Sequence, residues 1–485
     1  MTKKVYYPLF VLLIAWSIWS LSYSPLPWLD EVFYASTTHS LVTGHGLSLE
    51  IDHYEPVVMY GPVYFLLTGA VAKVFGFGIF QFRIVNLLFA FLSVLVLGKT
   101  LDKLNVKKGL NYFSQLLLLT DALFISNSHS GRMEFVALFF ILLAINFYLN
   151  HNLKTIIKAA LVALMLTLAA LTSLRAIILC IPIAIAQLIS IIKERSWISL
   201  VPYLLIPVLL YGIWVYIAFG SVSDMLSYFS QQQSSDNTQR SLISKYAKGN
   251  WMIYKYHYPM VVASLITIVF LIKRKKIKEV GLFIITVLLF YLFVTDTGLY
   301  GVYVLPFYMI IISVGLSEIQ INSNKFLKIS YQALVAICLL VNCSIFTIKV
   351  ANIISTKEQR DPQKAAEWLA ANIPSGSKVA GDYIYFYSAI KNGCQFKRIH
   401  RGFGGYQEDV LKDVIDNFQP DYIILEKNNQ QTNNMTVFRS TGFVELSCLE
   451  NQEIDNSLIS RLLKMVGVDF MSSYEGCIYA VTSEK

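Results

Sequence analysis

Charge is scarce in this 485-residue chain: 15% of its residues are Asp, Glu, Lys or Arg, against about 25% in ordinary soluble proteins. Intrinsic disorder, which needs high net charge and little apolar content, is excluded. Cysteine is sparse as well, and six thiols do not make a disulfide framework in a chain of this length. Cys180, Cys338 and Cys343 lie within apolar runs and read as packing residues. The three that remain allow one bridge at most, and Cys448 with Cys477 is the pairing we expect. The last third of the chain also lacks a Gly-rich phosphate loop, a CxxC pair and a nucleophile elbow.

Apolar residues make up 55% of the chain, in runs that recur at membrane-spanning length, so a single soluble domain is excluded. Eleven candidate spans lie near 6–23, 83–100, 109–126, 133–149, 159–174, 176–192, 198–219, 257–272, 279–295, 301–316 and 329–348. The first follows Met-Thr-Lys-Lys and precedes Ser-Pro-Leu-Pro-Trp rather than a small-residue cleavage site, so it reads as an uncleaved span. With the N-terminus cytoplasmic, seventeen lysines and arginines fall in the inner segments and eight in the much longer outer loops that precede residue 350. This is the positive-inside bias. The net charge of +9 therefore sets topology, and no nucleic-acid partner is expected. An odd span count puts residues 350–485 outside (periplasmic, extracellular or, in a eukaryote, lumenal). The glycine-broken segment 61–80 is expected to lie at the membrane surface, since a twelfth span would invert every later loop.

The expected fold class is thus a polytopic α-helical membrane protein of about eleven spans with a C-terminal soluble α/β domain. Residues 1–349 form the membrane module, with long outer loops at about 24–82 and 220–256, and residues 350–485 form the soluble domain. In the latter, 361–373 and 406–418 have helical spacing, while KVAGD, DYIILE, GFVELSCL and GCIYAV read as strands.

The residues that could carry chemistry cluster on the outer side. Asp30 and Glu31 directly follow the first span, where a carboxylate could act as general base or simply cap a helix. His45, Glu50, Asp52, His53, Glu55 and Tyr60 follow in the same loop. A His/carboxylate set can hold a divalent cation, although this spacing matches no standard site and a hydrogen-bonded loop fits equally; no organic cofactor is expected. Arg83, at the start of the second span, could snorkel or make bidentate phosphate contacts. Arg132 and Glu134 open the fourth span, where an acid needs water or a partner. Arg175 occupies a short outer turn, and Asp296, Tyr300 and Tyr303 another. The polar run SQQQSSDNTQ in the second long loop would suit a lid.

In this order the residues resemble the membrane-embedded GT-C glycosyltransferases, above all the branch of protein O-mannosyltransferases and lipid A aminoarabinose transferases. Asp30-Glu31 with Tyr34 is similar to that branch's DE-then-Tyr pattern. Gly61-Pro62-Val63-Tyr64-Phe65 resembles its PPLYYW-like segment. Arg83 with Asn86, Arg132-Met133-Glu134 and Tyr303-Val304-Leu305-Pro306 match its later motifs, over about residues 1–320. Two departures stand out: Met59-Tyr60-Gly61 replaces the family's lysine before the prolines, and Ser173-Leu174-Arg175 replaces its Lys-Gly-Pro. The resemblance implies transfer of a sugar from a polyprenyl- or dolichyl-phosphate donor, drawn from the membrane lipid, to a glycan, lipid or protein acceptor on the outer face. It implies an inverting displacement with Asp30 as base and Glu31 and Glu134 orienting the acceptor or an ion. Arg83, Arg132 and Arg175 would bind the donor phosphate, and His53, Tyr60, Tyr64 and Tyr303 would line the cavity. The alternatives are a transporter or flippase of lipid-linked sugars, which lacks support from any inverted repeat, and a non-catalytic scaffold.

Overall fold

The computed structural model describes residues 1–52, 55–57, 60–235, 242–294, 299–322, 325–399, 408–426, 443–450 and 473–481. Its N-terminal three quarters are helical. The first helix, α1 (Lys3–Ser20), is followed by α2 (Leu29–Val42), a small hairpin of β1 (Ser48–Leu49) and β2 (Glu55–Pro56), and α3 (Val63–Phe75). Then come α4 (Ile79–Lys103), α5 (Lys108–Leu119), α6 (Ala122–Ser128), α7 (Glu134–Tyr148), α8 (Thr155–Ala170), α9 (Ala176–Lys193) and α10 (Leu200–Phe219). The series continues through α11 (Val222–Ser235), α12 (Leu242–Lys273), α13 (Gly281–Phe293), α14 (Leu305–Asn322) and α15 (Lys325–Ser355).

A helix coincides with each of the eleven apolar runs. Among the described residues five helical segments are long and apolar enough to cross a membrane by length and composition: Ile79–Lys103, Ala176–Lys193, Trp197–Phe219, Leu299–Gln320 and Lys328–Ser355. The run at 109–126 is broken in two, because the Asp121 carboxylate accepts the amides of Leu123 and Phe124 and starts α6 as a new helix. Residues 220–256, expected as the second long outer loop, are largely helical, with α11 and the first part of α12 occupying most of them, and residues 236–241, which include the end of the polar run, lie outside the described residues. Segment 61–80 yields the 13-residue α3, about 20 Å long at 1.5 Å per residue, which stops at Gly76 with φ +83°.

The helices sort by what surrounds them. The α14 stretch from Phe307 to Ile312 is buried on all sides. On α10, by contrast, Val201, Leu204, Val208, Leu209, Ile213 and Ile217 are exposed, an apolar face that only lipid can cover without cost.

The C-terminal part carries α16 (Pro362–Asn372), β3 (Lys378–Gly381), α17 (Phe386–Lys391), β4 (Gln395–Arg398), α18 (Glu408–Asp413, continued by a π-helical turn Val414–Phe418), β5 (Tyr422–Glu426), β6 (Phe443–Leu449) and β7 (Gly476–Val481). The five strands form one sheet in the order β4-β3-β5-β7-β6, parallel for β4-β3-β5 and antiparallel beyond. Cys448 on β6 lies opposite Cys477 on β7, and the two form a disulfide. This C-terminal unit packs on α2, α3 and α4 rather than standing apart: Val32, Tyr34, Tyr64 and Phe82 share one apolar cluster with Tyr385, Phe386, Tyr387 and Tyr474.

Candidate active site

The site is built on the first turn of α2, which Trp28 precedes in extended conformation. Successive helical residues are about 100° apart, so Asp30 and Glu31 face different surroundings. Glu31 is fully buried and takes a bidentate pair from Arg83, with Nε 2.6 Å from Oε1 and Nη2 2.8 Å from Oε2. The third arm of Arg83, Nη1, donates to the Leu21 carbonyl at 2.8 Å. Asp30 keeps 27% of its side chain exposed and pairs with Nη1 of Arg132. Buried Arg132 also donates to Glu134 Oε1, from Nε at 3.0 Å and Nη2 at 2.6 Å. One guanidinium thus lies between two carboxylates, while Glu134 Oε2 is buried without a hydrogen-bond partner among the described residues.

Arg175 is placed differently. It precedes the first turn of α9, is exposed, and makes no ion pair among the described residues. Its Cζ sits 3.5 Å from the Tyr300 ring centroid. Arg132 Cζ lies 4.9 Å from the same centroid and 5.1 Å from the Trp28 ring, so cation–π contacts tie the two arginines to one aromatic plate.

Close backbone approaches bring these groups together. Asn86 Nδ2 donates to the carbonyls of Asn127 and Ser130 at 2.6 and 2.8 Å, holding the 127–134 turn on α4. In that turn Gly131 leaves no room for a side chain unless the Phe82 ring moves, since a Cβ would meet Phe82 Cε1 at 2.1 Å. Gly61 abuts the turn that leads to Arg175, where a Cβ would lie 1.9 Å from the Leu171 carbonyl oxygen. Nearby His129 is buried and holds Ser20 Oγ at 3.0 Å and the Ile125 carbonyl at 2.9 Å. Burial pushes its imidazole down to about 3, so it is a neutral structural ring.

The expected cavity residues form an aromatic wall. Tyr34 meets Tyr60 edge-on at 5.3 Å and Tyr64 at 6.1 Å, and Tyr64 meets Phe82 at 5.9 Å. Burial raises the phenols of Tyr34 and Tyr60, keeping them neutral donors. Tyr303 is wholly buried beside Phe290, 6.3 Å away. His53 and Asp296 lie outside the described residues. The rest of the expected cation cluster is engaged elsewhere: Glu50 with His39 at 2.6 Å, and Asp52 with Arg398. Among the described residues the group with metal-ligand proximity is Glu445, Cys448 and Cys477, and the disulfide removes both thiolates.

Sequence reasoning missed the contribution of the C-terminal sheet. The Tyr387 hydroxyl donates to Glu31 Oε1 at 3.3 Å across 356 residues, and Lys397 Nζ donates to the Glu50 carbonyl at 2.8 Å. No local pattern announces such contacts.

No protein-family model and no curated protein sequence matches the chain. Solved structures do. ArnT from Cupriavidus metallidurans in the apo state aligns over 98% of both chains with TM-score 0.63 at 12% identity. The same protein bound to undecaprenyl phosphate gives 0.62 over the same coverage at 12% identity. The apo oligosaccharyltransferase AglB of Archaeoglobus fulgidus aligns over 94% of this chain and 76% of its own, with TM-score 0.51 and 11% identity. The chain therefore shares the overall fold of these solved structures.

Proposed function

We propose that the protein is a glycosyltransferase that moves a sugar from a polyprenyl-phosphate carrier to an acceptor at the outer face of the membrane. The topology that goes with this reading has about eleven spans, a cytoplasmic N-terminus and residues 350–485 outside. The observation that carries the assignment of roles is the unequal exposure of the charges. Glu31, Glu134, Arg83 and Arg132 are buried in ion pairs, while Asp30 and Arg175 reach the surface of the site. Asp30 accepts the acceptor's hydroxyl or amine proton as the acceptor oxygen or nitrogen bonds to the anomeric carbon. The bond from that carbon to the donor phosphate breaks on the opposite side, and polyprenyl phosphate leaves with the electron pair. Arg175 stabilises its negative charge. Arg132 orients Asp30 from behind, and Arg83 fixes α2 through Glu31. These last two roles replace direct phosphate binding by Arg83 and Arg132, whose donors already face carboxylates.

The fold's likeness to ArnT, which binds undecaprenyl phosphate, and to AglB, solved with a dolichol phosphate, supports the choice of donor. The test is release of free polyprenyl phosphate from a panel of lipid-linked donors by the protein in nanodiscs, with a crude membrane extract as acceptor. Wild type should release it, and Asp30→Asn should lose about 100-fold or more in rate, the scale of a removed general base. Release by both would keep the enzyme class and discard Asp30 as base. Release by neither would favour transport of the same lipids.

A further inference from the structure

We infer that the C-terminal sheet completes the active site by clamping α2, and that Tyr387 is the positioning residue of the clamp. The inference rests on the proposed role of Asp30. Three observations meet on α2. At its first turn, Glu31 Oε1 accepts the Tyr387 hydroxyl at 3.3 Å beside Arg83 Nε. The Tyr387 ring cannot swing away, because it stacks on Phe77 at 5.7 Å and 23° and lies 6.4 Å from Phe82. Towards the other end of α2, His39 Nδ1 holds Glu50 Oε2 at 2.6 Å, and the Glu50 carbonyl is held in turn by Lys397 Nζ at 2.8 Å. Arg398, next along β4, pairs with Asp52. The sheet thus grips the helix near both ends, one grip on the residue adjacent to Asp30.

The physical consequence is specific. The Glu31 carboxylate is buried, so its position follows from its donors. Arg83 comes from α4 in the membrane bundle and Tyr387 from α17, the helix between strands β3 and β4 of the C-terminal sheet. The first turn of α2 is therefore registered against both units at once, and with it the Asp30 carboxylate. Removing the hydroxyl leaves Arg83 in place but frees one side of the turn. Misplacement of a reacting group by about 1 Å can cost up to 100-fold in rate. Donor binding at Arg175, whose cation rests on Tyr300 rather than on Glu31 or Tyr387, should be untouched.

Tyr387→Phe keeps the ring and its stacking and deletes only the donor. Tyr385→Phe is the control: that hydroxyl is also buried in the sheet unit and has no hydrogen-bond partner among the described residues. In the full-length protein in nanodiscs, Tyr387→Phe should lower kcat about tenfold with donor KM within twofold. It should also speed hydrogen exchange of the 30–34 amides about tenfold, the scale of one hydrogen bond to a charged group. Tyr385→Phe should do neither. Wild-type exchange at 30–34 in Tyr387→Phe overturns the clamp, and so does an equal change in Tyr385→Phe. A raised donor KM at constant kcat overturns the positioning role. Faster exchange with unchanged turnover keeps the clamp and removes its link to Asp30. Asp30→Asn run alongside separates the two failures: an active Asp30→Asn defeats the proposed base, whereas an inactive one beside an indifferent Tyr387→Phe defeats only this inference.

Discussion

Arg83→Met decides whether that guanidinium serves a substrate phosphate or the protein's own carboxylate. Its three nitrogens donate to Glu31 Oε1, Glu31 Oε2 and the Leu21 carbonyl, and neither side chain of the pair is exposed. Methionine fills much of the stem volume but leaves Glu31 buried with only the Tyr387 hydroxyl as a donor among the described residues. Breaking a buried pair from one side costs about 3–5 kcal/mol, because the remaining charge stays desolvated. The companion variant Arg83→Met/Glu31→Gln removes both charges and should recover most of that loss, since a neutralised buried pair is often close to neutral in stability. Thermal unfolding followed by intrinsic fluorescence in nanodiscs should show the single variant melting several degrees below wild type and the double variant close to it. An Arg83→Met protein that melts like wild type but has a donor KM raised tenfold or more would refute the pairing argument. It would also return Arg83 to the phosphate role that its place in the sequence suggests.

Three further outcomes follow from individual side chains. Gly131→Ala forces its new methyl into the Phe82 ring, where Cε1 and Cδ1 lie at 2.1 and 2.3 Å; the expected cost is about 1–3 kcal/mol, seen as a lower melting temperature together with reduced turnover. Arg360 is wholly buried with all three guanidinium nitrogens unpartnered among the described residues, and burial pushes it down to about 10; relieving that charge is worth up to about 3 kcal/mol at neutral pH, so Arg360→Met should melt higher than wild type. His129 lies folded at about 3 against an ordinary 6.5, so the unfolded chain binds its proton first and stability falls as pH drops from about 6.5 towards 3; His129→Gln should flatten that acid limb and leave melting above pH 7 little changed.

The sequence made the helices legible because a membrane imposes length and apolarity on every segment that enters it. It misjudged 109–126 as one run, although Asp121 was a visible start signal for a second helix. The polar run near 230–239 suggested a lid, and polarity alone does not distinguish an exposed helix from a coil. In the site, the clustering of Asp30, Arg132 and Glu134 was legible but partnership was not. Adjacent Asp30 and Glu31 look equivalent in one dimension, and helical rotation sends one to Arg83 and the other to Arg132. Arg83 and Arg132 look like phosphate ligands because a boundary arginine carries the same signature whether its anion is a substrate or a carboxylate in another loop. Tyr387, Lys397 and Arg398 were invisible, for their partners lie some 350 residues away and nothing local marks them.

The charge arrangement itself favours group transfer over passive binding. Arg132 faces both Asp30 and Glu134, so one positive charge is divided between two carboxylates and cannot neutralise both. The cluster thereby keeps a net negative charge, which suits the proton-accepting role proposed for Asp30. Arg175 carries uncompensated positive charge among the described residues, and it shares the Tyr300 ring with Arg132. The ring holds the Arg175 cation beside the carboxylate cluster, and among the described residues that cation makes no ion pair with it. A displacement with inversion needs this separation: a proton acceptor on the side of attack and a cation on the side from which phosphate departs. Tyr300→Ala should therefore do more than empty a cavity. With the plate gone, Arg175 is free to fold onto Asp30 or Glu134, so both kcat and donor KM should worsen, each by about tenfold on the scale of a lost cation–π and charge alignment. Tyr300→Phe, which keeps the ring face, should retain both. Equal losses in Tyr300→Phe would show that the hydroxyl, and not the plate, is what the site requires.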